Sequence, residues 1–354
     1  MNLIRTRAAA RGFRADKATG LVAALAATAI TLAACGSSAG SSATAAGTAR
    51  SGGSVADLGS VTVVAPVAHT FYYLPSQLGL KLGVWKKLGL TVNDVVVQGA
   101  GQSAQLLAAG SADIELGTGP TDVNAIMRGL KAKIVGALGL SFKPFVLVVP
   151  PKSSITSPSD LKGHTIGITG KGALTDYVVQ QLVKHEGWPT GSVNEAPLGG
   201  LPEQLAAMKA GSIDGFVWTA GAGYELAAKN EGKIAFSFSQ FIPKGLFENL
   251  TATDAMITKR SAALSAYIKG WYQVARYMKD NPKQTIAFVA STYGVPTSVA
   301  TQIYDFEIPG LSLDGAIPST NLSGLLHYAV VEGDASTPPV SSKIVDASFL
   351  KAAA

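Results

Sequence analysis

From residue 61 onward, short apolar runs alternate with amphipathic stretches, and that rhythm predicts strands separated by helices. Residues 61–67 read Val-Thr-Val-Val-Ala-Pro-Val, a buried-strand pattern. The polar and aromatic group His69-Thr70-Phe71-Tyr72-Tyr73 follows, then a helix carrying Leu74, Leu78 and Leu82. Strands are predicted over 92–97, 114–116 and 134–138, with a helix over 102–109. Thr118-Gly119-Pro120-Thr121-Asp122 opens a further helix, because proline and an acid suit a first turn. The wholly apolar strand 145–149 ends at Pro150-Pro151, and a one-turn helix is expected over 157–163. Strands at 165–168, 193–197 and 215–218 bracket helices that run to about residue 186 and over 203–209. A longer strand is predicted over 250–257. Beyond Lys259 the pattern turns helical, with Tyr267, Trp271, Val274 and Met278 at core spacing and further helices from Pro282, from Pro296 and over 321–331. Strands alternating with short helices imply parallel sheets and an α/β fold class.

The same plan occurs twice. Gly110, Ser111 and Asp113 are matched by Gly211, Ser212 and Asp214, Gly99 by Gly200, and Thr118 by Thr219, each pair 101 residues apart. Common βα-turn chemistry accounts for some of this. An offset held over about 30 residues points further, to two similar α/β lobes with a gap between them.

The 354 residues, 47% of them apolar, suffice for one large domain or two ordinary ones. The net charge of +6 is concentrated at the start. The first 34 residues hold Arg5, Arg7, Arg11, Arg14 and Lys17 against Asp16, a surplus of 5 − 1 = 4, which leaves +2 for the rest. With no basic stripe interleaved with aromatics, no nucleic-acid partner is expected.

Those basic residues precede an apolar run over 21–34, too short for a span of about 20 residues, so 1–34 reads as a secretory signal. It ends Leu32-Ala33-Ala34-Cys35-Gly36, which resembles the bacterial lipobox. Cys35, the single cysteine, is then the lipidation site, a palmitate-type anchor holding the protein on the extracytoplasmic face of the cell membrane. Residues 35–57, nearly all Gly, Ser, Ala and Thr at first, are expected to be a flexible tether.

Other chemistry is thinly represented. Gly99-Ala100-Gly101-Gln102-Ser103-Ala104 fits a dinucleotide-binding pattern, but it follows the second strand rather than the first and has no ribose-binding acid at the required distance. Gly170-Lys171 lacks the remainder of a phosphate-binding loop. There are four histidines, no paired cysteines and no nucleophile-elbow motif, and His185-Glu186 is followed by Gly187-Trp188-Pro189, which breaks the helix a zinc site needs. No catalytic residues, metal or cofactor are therefore expected.

In order, the lipobox, Asp160-Leu161-Lys162-Gly163-His164-Thr165-Ile166-Gly167, Gly170-Lys171-Gly172-Ala173-Leu174-Thr175 and the run from Ala210 to Trp218 resemble the periplasmic binding proteins of ABC importers. The resemblance is to their alkanesulfonate, taurine, nitrate and thiamine-precursor branch. It implies the type II periplasmic-binding-protein fold: two lobes joined by two crossing strands, with a ligand cleft between them. On that template 145–149 and 250–257 cross. Residues 58–146 and 250–354 make lobe 1, and 147–249 make lobe 2. The implied partners are a small organic solute (sulfonate-like, aromatic acid or heterocyclic) and a membrane permease, with the protein itself a monomer. An enzyme on the same fold, or a ligand-presenting sensor subunit, are the alternatives.

In open parallel sheets, ligands sit beyond the carboxyl ends of strands, against helix N-termini. Four turns qualify: 68–73, 117–122, 169–175 and 217–221. Thr70, Thr118, Thr121, Thr175 and Thr219 can offer hydroxyls to a ligand, although as helix caps most need none. His69 can donate over a ligand or sit satisfied at the sheet edge. Phe71, Tyr73 and Trp218 can wall a planar solute, and Trp218 can equally be inter-lobe packing. Asp122 can hold an amine or merely be a first-turn acid. Lys171 and Ala173 complete the candidate ligand-binding set. No arginine falls in the four turns, so a bidentate clamp for a carboxylate or sulfonate is not visible, and the ligand's charge stays open.

Overall fold

In the computed structural model, residues 56–242 and 244–352 are described, and they form two five-stranded sheets with helices against their faces. The signal, Cys35 and the tether as far as Val55 lie outside the described residues. The strands run β1 (Ser60–Ala65), β2 (Thr91–Val96), β3 (Ile114–Thr118), β4 (Ala132–Gly139), β5 (Phe145–Val149), β6 (Thr165–Ile168), β7 (Asn194–Pro197), β8 (Gly215–Thr219), β9 (Lys233–Ser237) and β10 (Glu248–Thr253). Helices α1 (Leu74–Leu82), α2 (Val84–Lys87), α3 (Ala100–Ala108) and α4 (Gly119–Met127) link the strands of the first sheet. Helices α5 (Leu174–His185), α6 (Leu201–Lys209) and α7 (Ala220–Ala228) do so in the second. After β10 come α8 (Asp254–Lys259), α9 (Ser261–Asp280), α10 (Pro282–Tyr293), α11 (Thr297–Glu307), α12 (Ser319–Val331) and α13 (Ser341–Ile344).

The first sheet is ordered β2-β1-β3-β10-β4 and the second β7-β6-β8-β5-β9. Position for position these are the same sheet. In each, three parallel strands are followed by one that runs antiparallel to both its neighbours. The antiparallel strand of each sheet comes from the other half of the chain order, β10 in the first and β5 in the second, so the backbone passes between sheets twice.

The repeated Gly-Ser-x-Asp motif has a local cause. Gly110 and Gly211 follow α3 and α6 in the left-handed region, at φ 68° and 72°, where they stop the helices without a Cβ penalty. Two residues beyond the serine, the aspartate clamps the neighbouring strand. Asp113 donates its N–H to Thr62 O (2.8 Å) and accepts from Thr62 N at Oδ2 (2.9 Å). Asp214 does the same with Thr165, at 2.8 Å in both directions.

All residues of β5, β8 and β10 are buried, as central strands require. Tyr267, Trp271, Val274 and Met278 are fully buried along α9, so the aromatic stripe is core. Trp85 stacks on Tyr267 with ring centroids 5.3 Å apart and donates Nε1–H to Tyr267 O at 3.2 Å. Gly79 and Gly270 make this possible. A Cβ on either would stand 2.2 Å or 2.6 Å from the indole.

Several elements depart from the sequence expectation, among them the short helices α2 and α13 and two strands. The strand predicted over 250–257 starts earlier and ends at Thr253, where α8 begins. Thr253 Oγ1 accepts from Met256 N at 3.2 Å, a side-chain cap that diverts the chain into a helix despite its apolar run. Strand β9 is not anticipated, because Lys-Ile-Ala-Phe-Ser at a sheet edge is only half-buried along its length and shows no clean alternation. Among the described residues no helix is long and apolar enough to cross a membrane.

Candidate functional site

Strands β3 and β8 end at Thr118 and Thr219, each at the N-cap of the following helix. The antiparallel strands begin at the same ends. Glu248 pairs with Thr118, and Phe145 pairs with Thr219. Equivalent positions in the two lobes thus carry a carboxylic acid and a phenyl ring, and both face a small cavity of about 50 Å³ between the sheets.

Eight of the twelve residues expected from sequence line this cavity: Thr70, Tyr73, Thr118, Thr121, Ala173, Thr175, Trp218 and Thr219. Most of their hydroxyls are already engaged. Thr118 Oγ1 donates to Thr121 Oγ1 (2.9 Å), which also accepts from Leu174 N across the gap (3.2 Å). Thr175 Oγ1 accepts from Thr169 N and pairs with Thr169 Oγ1, both at 2.8 Å. Thr219 Oγ1 donates to His69 O at 3.2 Å, again across the gap. Three side-chain atoms of the wall have no partner: Thr70 Oγ1, Trp218 Nε1 and Glu248 Oε2. All three residues are at least 96% buried. Buried polar atoms are almost always hydrogen-bonded, so three orphans around one cavity mark it.

The other four expected residues lie elsewhere. Phe71 and Tyr72 enter the core as an edge-to-face pair with centroids 6.0 Å apart. Residues 71–73 form a 3₁₀ turn, whose three residues per turn send consecutive side chains in different directions, and only Tyr73 reaches the cavity. Asp122 turns towards β10, where it accepts from Asn249 Nδ2 (2.6 Å) and Thr251 Oγ1. Burial holds its carboxyl above the usual range, and those two bonds oppose the rise. Lys171 sits on the outer side of its glycine turn and pairs with Asp176 Oδ1 (3.2 Å) and with Glu195. Asp176 also accepts from Gly172 N at 2.7 Å, so the turn's cation is matched by an acid of its own lobe.

His69 is a clasp rather than part of the wall. Its φ of 60° is unusual for a residue with a side chain. The ring stacks on Tyr293, centroids 5.2 Å apart, and Nδ1 lies 2.6 Å from Glu225 Oε2 on α7. Burial alone pushes the Glu225 carboxyl up, but His69 and Lys229 outweigh it and hold the group below its ordinary value. Two further bonds tie the halves together nearby. Asn124 Nδ2 donates to Gly172 O at 3.0 Å, and Gly221 N donates to Glu307 Oε1 at 3.0 Å. Burial pushes the Glu307 carboxyl up to about 8, although the Gly221 bond opposes this.

Among the wall residues that the sequence did not single out are Glu248, Phe145, Thr169 and Leu174. Glu248 is the first residue of the half-polar strand β10, and only the antiparallel register brings it opposite Thr118. A family model described as NMT1/THI5 like matches residues 68–285, more than half of the chain and both lobes' share of the cavity. The chain belongs to the NMT1/THI5-like family.

A search of curated proteins returns no match for this NMT1/THI5-like chain. Solved structures do resemble it. The alkanesulfonate-binding protein SsuA from Xanthomonas axonopodis pv. citri, bound to MOPS, has a TM-score of 0.68 and 15% identity, covering 81% of this chain and 96% of that one. The periplasmic aliphatic sulphonate binding protein SsuA from Escherichia coli has a TM-score of 0.65 and 15% identity, covering 81% and 92%. The desulfurization enzyme DSZB has a TM-score of 0.61 and 14% identity, covering 84% and 99%. At such identities the likeness establishes the fold. The NMT1/THI5-like chain has the type II periplasmic-binding-protein fold, with its cleft between two lobes.

Proposed function

We propose that this protein is the solute-binding component of an ABC importer, anchored by lipid on Cys35 at the extracytoplasmic face of the membrane and delivering a small organic solute to a permease. In this reading 58–146 with 250–354 and 147–249 are the two moving lobes, and the protein acts as a monomer. The observation that carries it is the small cavity walled by both sheets, whose lining includes three residues with unpartnered buried polar atoms. A cavity of about 50 Å³ holds little more than water, whereas organic ligands generally need several hundred Å³. Entry therefore requires the lobes to part, and the ligand selects and stabilises a closed form. The bonds from Thr121, Asn124, Thr219, Gly221 and His69 across the gap are the ones that break and re-form.

The likeness to a desulfurization enzyme favours a second reading, an enzyme on the same scaffold, since fold does not fix function. A thermal-shift screen over sulfonates, nitrate, aromatic acids, aminopyrimidines and neutral heterocycles separates the two. A bound solute at about 100 times its dissociation constant adds roughly 2.7 kcal/mol of stability and is recovered unchanged. Steady conversion of a panel compound to product on incubation would instead establish the enzyme.

A further inference from the structure

We propose a second binding site, beside the first sheet, at which Asp94 takes the ammonium group of a small organic amine. The inference goes beyond the solute-binding reading and does not depend on it. Every wall residue of the site comes from β1, β2, β3, the turn after β1, α1 or α10.

The internal repeat carries the argument. Each Gly-Ser-x-Asp aspartate clamps a threonine, Thr62 in β1 and Thr165 in β6, and the turns leaving these strands match residue for residue from there. The next residue, Val63 or Ile166, pairs with an acid on the edge strand, Asp94 of β2 or Glu195 of β7. Further along, both backbones enter the left-handed region at the same step, His69 at φ 60° and Gly172 at φ 72°. The residue just before that step is Lys171 in the second sheet's turn and Ala68 in the first's. Lys171 Nζ donates to Asp176 Oδ1 (3.2 Å) and to Glu195, so this edge-strand acid meets an ammonium from its own turn. Asp94 forms no ion pair among the described residues. The first sheet keeps the acid and has alanine where the cation would be.

The place of the missing lysine is a cavity of about 220 Å³, lined by both Ala68 and Asp94. Asp94 Oδ1 accepts from Ser76 Oγ at 2.9 Å. Burial pushes its carboxyl up to about 6, and the Ser76 bond opposes this. The group is therefore charged at neutral pH in surroundings that penalise the charge, and a bound ammonium relieves that penalty. No lysine or arginine lines the cavity, and its histidine, His69, directs Nδ1 to Glu225. Val63, Ala65 and Leu116 supply a buried apolar floor. Thr70 and Tyr293, each 3% exposed and each with an unpartnered hydroxyl, also belong to the wall. An acid, an apolar floor and a volume below that of drug-sized pockets suit an ammonium head on a tail of a few heavy atoms.

The test is calorimetry on the full chain with propylammonium, and with propanol as its neutral match. Propylammonium should bind at least tenfold more tightly than propanol. Asp94→Asn should weaken it at least tenfold. Ala68→Lys, which rebuilds the lysine–acid pair of the second sheet, should abolish it with unchanged circular dichroism, and Trp218→Phe should have no effect. Equal affinity for propanol, or binding that survives both Asp94→Asn and Ala68→Lys, overturns the site. Binding lost in Trp218→Phe but kept in Asp94→Asn moves the amine to the cavity between the sheets, which overturns the second site and supports the solute-binding reading. No binding of propylammonium overturns the second site alone.

Discussion

His69 Nδ1 lies 2.6 Å from Glu225 Oε2, joining the turn after β1 to α7 across the gap between the sheets. The bond is partly exposed, with a third of the His69 side chain accessible, so its net value is about 1 kcal/mol. Glu225→Gln is expected to shift the ligand-free equilibrium towards the open form by roughly fivefold, read as a larger radius of gyration in small-angle scattering. An unchanged scattering profile would show that the clasp has no part in closure.

Glu307 gives the fold a pH dependence of definite sign. Its folded pKa of about 8 lies above that of an unfolded glutamate, so the folded protein holds a proton that the unfolded chain releases. Stability is then fully present below the unfolded value and falls as pH rises towards 8, by up to about 1.4 kcal/mol per pH unit over that window. Glu307→Gln keeps an oxygen for Gly221 N and removes the titration. The melting temperature of the variant should exceed that of the parent at pH 8 and approach it at pH 5. Parallel melting curves across that range would refute the assignment.

Asp122 serves the packing of β10 rather than the ligand. Asp122→Ala strands Asn249 and Thr251 without their acceptor in a wholly buried strand, at a cost of roughly 1–3 kcal/mol. The midpoint of thermal unfolding should fall by a few degrees, at about 2 °C per kcal/mol for a chain this long. Affinity of the folded variant for any ligand of the cavity should stay within about twofold. A selective loss of affinity, with the melt unchanged, would return Asp122 to the binding set.

Lys171 and Trp218 should separate cleanly. Lys171→Ala removes ion pairs outside the cavity, so ligand affinity is expected to stay within about twofold of the parent. Trp218→Phe keeps a ring and removes the unpartnered Nε1, and a loss of about tenfold is expected from one hydrogen bond in a buried site. The reverse ranking, measured by calorimetry on both variants, would place the ligand in the groove beside Lys171.

Gly211 tests the repeat. It holds φ at 72° with no atom within 4 Å of where a Cβ would be. Gly211→Ala thus probes backbone strain alone and should cost about 1–2 kcal/mol in chemical denaturation, while Gly101→Ala, also in open space but in the first turn of α3, should cost nothing or stabilise. Equal effects of the two would remove the left-handed stop as the reason for the motif.

How far the sequence reached follows from the range of each interaction. Most strand and helix positions, the doubled lobe and the buried stripe of α9 were legible because they rest on local periodicity and turn chemistry, whereas the half-buried edge strand β9 was not. Glycine must take the left-handed stop, aspartate can clamp the next strand, and apolar residues at 3.6-residue spacing must bury one face. The four cleft-facing turns were legible for the same reason, since strand ends and helix starts are local features. Only the tertiary structure decided which side chains of those turns share a cavity. Phe71 and Asp122 are one to two residues from cavity residues, yet the 3₁₀ turn and the buried network of Asn249 and Thr251 direct them away. Glu248 and Thr118, 130 residues apart, meet because β10 runs antiparallel beside β3. That pairing is set by long-range register, which no local pattern around residue 248 encodes.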